Sequence, residues 1–114
     1  MTASATNFNT SSDYRLKENV VVIADGITRV KQLQPKRFNF IVDSDTTVDG
    51  FIAHEAQTVV PEAVTGTKDQ VDEDGEAVMQ VMDQSKLIPL LTAALQEAIA
   101  KIETLEIKVA AFEG

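Results

Sequence analysis

Between Ile88 and Phe112, apolar side chains return at alternating intervals of three and four residues: Ile88, Leu91, Leu95, Ala98, Ile102, Leu105, Val109 and Phe112. A stripe of this period is the seam of a coiled coil, with Ile88, Leu95, Ile102 and Val109 at position a and Leu91, Ala98, Leu105 and Phe112 at d. In this register Lys101 and Lys108 fall at g, and Glu106 and Glu113 at the e positions five residues on, so each lysine faces a glutamate of a neighbouring parallel helix. Ser85 is placed to cap the helix, which puts Pro89 at the fourth helical position, where its missing N–H costs one bond rather than breaking the helix midway. From Ser85 to Glu113 the helix is expected to be about 43 Å long. A lone helix would leave its stripe in water, so the pattern requires partners. Their number stays open, since β-branched a residues over Leu at d favour dimers and mixed layers permit trimers.

Upstream the period changes repeatedly. Val20–Ile23 is a short apolar run followed by Asp25, a candidate cap for a helix bearing Ile27, Val30 and Leu33 on one face and ended by Pro35. Lys36–Val42 alternates and predicts a strand with Phe38 and Phe40 on one side. A polar loop, 43–49, leads through Gly50 to a second short strand at Phe51–Ala53. His54–Val60 predicts a short helix stopped by Pro61. Ala63–Thr67 and Ala77–Val81 flank Asp74–Gly75, a strong hairpin dipeptide, which predicts a protruding β-hairpin. Residues 1–11, rich in Ser, Thr, Asn and Ala, have the composition of a linker or of the end of a preceding segment. The expected fold is α+β, with a small N-terminal helix and strand region carrying the hairpin and a long C-terminal helix over about 85–113.

With 114 residues there is room for one domain, and a domain this small gains further stability by association. The chain has no Cys and one His, which removes disulfides, zinc clusters and thiol nucleophiles from consideration; no metal and no cofactor are expected. A formal charge of −8 opposes a nucleic-acid surface, where clustered Lys and Arg are needed. No apolar run approaches the roughly 20 residues that span a bilayer, and residues 1–11 lack the basic and apolar regions of a signal peptide, so neither a membrane nor a secretory partner is expected, and synthesis in the cytoplasm is.

The reactive groups left are Ser, Thr, Lys and carboxylates. Ser12–Asp13–Tyr14–Arg15–Leu16–Lys17 sets a hydroxyl and an amine five residues apart, the one nucleophile arrangement this composition offers easily. A neutral Lys17 could take the Ser12 proton, and burial of an amine against apolar surface disfavours its charged form. On spacing alone a solvated turn is the commoner arrangement. His54 is a possible third member of a triad, although a lone His opening a short helix is more often structural. Asp72, Asp74 and Gly75 have some features of a calcium loop, but Gln70 and Val81 occupy its first and last ligand positions, which favours a plain hairpin tip.

The run SDYRLKENV, the segment GFIAHEAQTVVPEAV and the segment DQSKLIPLLTAALQEAI followed by heptads closely resemble the C-terminal intramolecular chaperone domain of bacteriophage tailspikes and tail fibres. Endosialidase tailspikes are its type members, and the eukaryotic myelin regulatory factor carries a related module. The resemblance extends over nearly all of residues 12–114. It implies a domain at the end of a fibre polypeptide that brings three chains into register as a parallel trimeric coiled coil, in the host cytoplasm during virion assembly. It further implies a single-turnover serine peptidase activity in which the Ser11–Ser12 bond is cut, with Ser12 as nucleophile and Lys17 as general base, so that the domain leaves the mature fibre. Arg15, Asn19 and backbone amides are candidates for stabilising the oxyanion. A non-cleaving trimerisation tip is the alternative.

Overall fold

The computed structural model describes residues 12–113. Helix α1 spans Gly26–Val30 and runs on through a turn in which the Leu33 N–H donates to the Val30 carbonyl. Asp25, the expected cap, makes no side-chain capping bond; it lies 3.9 Å from Arg29 instead. The first N–H groups of α1 are met from the far end of the sequence. Glu97 Oε2 accepts from Gly26 N at 2.7 Å, and Oε1 from Ile27 N at 3.5 Å. This contact requires a glycine, because a Cβ on Gly26 would sit 2.6 Å from the Ala94 nitrogen.

Strand β1, Lys36–Phe38, pairs antiparallel with β2, Val48–Gly50, in the register Lys36↔Gly50, Arg37↔Asp49 and Phe38↔Val48. Both strands differ from expectation. Alternation continues to Val42 in sequence, but pairing ends at Phe38, because the loop returns the chain with Val48 opposite it. Beyond that point Ile41–Asp43 coil into a single 3-10 turn, and Phe40 packs edge-on to Phe38 with ring centroids 5.3 Å apart. The second strand lies earlier than Phe51–Ala53, since the Ile52 carbonyl already accepts the first bonds of helix α2, Ala53–Gln57. Phe51 leaves the sheet and packs on the core.

That core consists of Ala56, Val59, Val60, Ala63, Val64, Leu87 and Leu90, with Val30, Leu33, Phe51, Ala53 and Met82 against its edge. Pro61 opens a 3-10 turn to Ala63 that carries the chain from α2 into β3, Val64–Thr65. This strand pairs with β4, Val81–Met82, and the expected hairpin projects between them. At its tip Gly75 takes φ 80°, while Asp72 Oδ1 accepts from the N–H groups of Asp74 and Glu76, an Asx-type turn.

A 3-10 turn, Gln84–Leu87, leads directly into helix α3, Ile88–Glu113. The cap is Asp83 rather than Ser85, because the chain enters the turn two residues earlier than the apolar period indicates. Asp83 Oδ1 accepts from the Ser85 N–H at 3.1 Å and from its hydroxyl at 2.6 Å. These bonds, the hydroxyl's above all, hold the Asp83 carboxyl below its ordinary value of 3.8. The face of the helix that meets the core is Leu87, Leu90 and Ala94, all buried. The heptad positions Ile88, Leu91, Leu95, Ile102, Leu105, Val109 and Phe112 are exposed on another face, with Ala98 half-buried, and from Ile99 to Glu113 every residue is exposed. The helix thereby extends the molecule to 71 × 43 × 22 Å.

Candidate functional site

Ser12 and Lys17 are brought together by the residues between them. Asp13 caps a 3-10 turn at Tyr14–Leu16, its Oδ1 accepting from the Arg15 N–H at 2.8 Å. The Leu16 N–H donates to the Asp13 carbonyl and the Lys17 N–H to the Tyr14 carbonyl, each at 3.1 Å. A turn of three residues per revolution folds the sixth residue of the motif back over the first. The result is a contact of 2.7 Å in which Lys17 Nζ donates to Ser12 Oγ. Both side chains are exposed in the single chain.

Arg15 completes the turn from outside. Its Nε and Nη2 donate to the two carboxylate oxygens of Asp13 at 3.0 and 2.9 Å, a fork-on-carboxylate geometry. The Arg15 side chain first, and its main-chain N–H second, hold the Asp13 carboxyl below 3.8, while the carboxylate raises the guanidinium in turn. Asn19 takes φ 54°, a left-handed conformation that Asn tolerates, and turns the chain into the extended segment 20–24. Asp13 is the contributor that spacing alone did not single out; the signal was its preference for caps immediately before a run with helical spacing.

Ser11, the other side of the expected scissile bond, lies outside the described residues, as does the stretch 1–11. His54 is half-buried in the first turn of α2, and no hydrogen bond joins it to Ser12 among the described residues. The Asp72 carboxylate is engaged by the hairpin's own backbone, and among the described residues no group of three or more His, Asp or Glu forms a metal site. Among the same residues no helix is long and apolar enough to cross a membrane.

The heptad residues form the second functional element. Their exposure on α3, with Ala98 half-buried among them, leaves an apolar stripe from Ile88 to Phe112. An exposed apolar stripe of this kind is the character of an interaction surface.

Comparison with known proteins bears on both elements. No curated protein matches the sequence. A family model described as the chaperone of endosialidase, Peptidase S74, matches residues 12–65. The matched stretch begins at Ser12, takes in the turn, α1, the first hairpin and α2, and ends in β3; the second hairpin and α3 lie beyond it. Over the segment 12–65 the chain is thus similar to the chaperone of endosialidase, a match that supports an intramolecular chaperone domain of the kind found in phage tailspikes and tail fibres.

Proposed function

We propose that this chaperone domain gathers fibre chains into a parallel homotrimer through α3 and then cuts its own backbone between Ser11 and Ser12. The observation that carries the reading is the 2.7 Å contact between Lys17 Nζ and Ser12 Oγ, held by a turn in a chain that has no cysteine. The match of residues 12–65 to the chaperone of endosialidase supports the chaperone role. The heptad stripe, with lysines at g opposite glutamates at e, supports parallel association of like chains.

The chemistry balances within the motif and one water. Lys17, uncharged, accepts the Ser12 hydroxyl proton as Oγ bonds to the carbonyl carbon of residue 11. The C–N bond to Ser12 then breaks as Lys17 returns a proton to the nitrogen, leaving an ester on Oγ. Water hydrolyses that ester, giving a carboxylate at residue 11 and a free hydroxyl and amine on Ser12. The reacting groups belong to one segment, so proximity supplies much of the acceleration. Because both side chains are exposed in the single chain, the step depends on assembly: neighbouring subunits exclude water and so disfavour the ammonium form of the amine. Cleavage in the host cytoplasm then follows correct registration and frees the fibre, and separation of the chaperone makes the assembled state kinetically persistent.

Exposure of Ser12 and Lys17 favours one competing reading, a tip that trimerises and remains attached. Mass spectrometry of the purified, assembled chain separates the two. The expected product begins at Ser12. Ser12→Ala leaves the chain intact, and Lys17→Ala slows scission by at least about 100-fold, the lower end of what a general base contributes. An assembled wild-type chain that stays intact supports the static tip.

A further inference from the structure

Val20–Ile23 is a run of β-branched residues that belongs to no helix or strand, and Val21 and Val22 are 84% and 87% exposed. It lies along α3, where Val21–Ile23 share a shallow groove with Pro89, Thr92 and Gln96. Around α3 the heptad positions therefore divide into three faces. Positions c and g, represented by Leu90, Ala94 and Glu97, carry the chain's own core and α1. Positions b, e and f, represented by Pro89, Gln96, Thr92 and Ala93, carry Val21–Ile23 of the arm. Positions a and d are left exposed except at the half-buried Ala98.

In a parallel coiled coil the e flank of each helix faces the g flank of the next. The arm sits on the e side and the α1-bearing domain on the g side. Closing the seam thus points the arm of one copy at the domain of its neighbour. We infer that Val20–Val22 is an inter-subunit surface that docks on the α1-bearing flank of a second copy of this chain, an inference that rests on the parallel assembly proposed above. The occupant is the same chain because the flanks continue downstream as Lys101 and Lys108 against Glu106 and Glu113, a charge pattern that parallel copies satisfy mutually. Docking also has a chemical result. Lys17 precedes the arm by only three residues, so the same contact brings the Ser12–Lys17 turn under the next subunit and out of water.

The absence of native cysteine permits a direct test on the full chain. Val22→Cys is made, its association measured by light scattering, and its reaction with a water-soluble maleimide timed in the assembled protein. The reference is the same variant carrying Ile102→Asp and Leu105→Asp, which removes the seam at exposed positions of α3 away from the core; dilution to the dissociated state gives the same reference without those changes. Labelling at least about tenfold slower in the assembly, with the difference lost in both references, is the expected result. An assembled protein labelled as fast as the dissociated one overturns the arm contact and leaves the parallel assembly standing. A chain that is monomeric at every concentration overturns both.

Discussion

The two halves of α3 carry one heptad pattern but live in different surroundings. Up to Ala98 the helix has a buried face, built on Leu87, Leu90 and Ala94 and locked to α1 by Glu97. Beyond it the same spacing of Ile, Leu and Val continues with every residue exposed. The first half is therefore held by its own chain, as part of the fold. The second half has only intrinsic propensity to sustain it, and isolated helices of about 12 to 15 residues are marginal in water. In the assembly proposed above, that half is ordered by association, so a single periodicity serves two energetically separate purposes.

The sharpest way to break this contrast is to truncate one leucine in each half. Leu90→Ala is expected to cost about 2–5 kcal/mol in urea unfolding of the dilute protein, since it removes a side chain only 2% exposed from the core. Leu105→Ala, on a residue 59% exposed, is expected to change that quantity by less than about 0.5 kcal/mol while weakening self-association measured by light scattering. Equal effects of the two on the dilute protein would erase the distinction. A smaller effect sharpens the boundary between the halves. Gly26→Ala forces a methyl group to 2.6 Å from the backbone of α3 at Ala94, which cannot move as a side chain can, and is expected to cost about 1–3 kcal/mol in the same measurement.

The smallest expected effect is on pH. The Asp83 carboxyl is held below 3.8 in the folded chain, so its cap on the first turn before α3 contributes above that pH and is lost as the pH falls through the lower folded value. Fraying should begin at Gln84–Leu87 only below pH 3.8, seen in the Ser85 amide resonance, and should be absent from an Asp83→Asn variant, whose side-chain carbonyl accepts without titrating.

What was legible in the sequence is what depends on local pattern. The α3 stripe, the Asp74–Gly75 tip and the stop at Pro61 each follow from neighbouring residues alone. Contacts between distant residues were not. Asp25 looks like the cap of α1 because it stands at the right place, yet the acceptor is Glu97, which is 71 positions away from Gly26. Phe51–Ala53 reads as a strand because of its apolar run, but the strand partner of β1 is fixed by how soon the loop returns, and Val48–Gly50 arrive first. At the candidate site the residue types were legible and the distance was not. Five positions place no constraint on a hydroxyl and an amine; the Asp13 cap and the 3-10 turn supply it.

One consequence follows from the division of α3 into faces. Because every residue of 99–113 is exposed and none supports the core, the proposed assembly makes that stretch exchangeable as a cassette. Grafting heptads of another strand number or charge pattern there would reprogram which chains join, and how many, while the upstream body kept its shape. A phage lineage could diversify the pairing of its fibres in this way without reinventing the module that builds them.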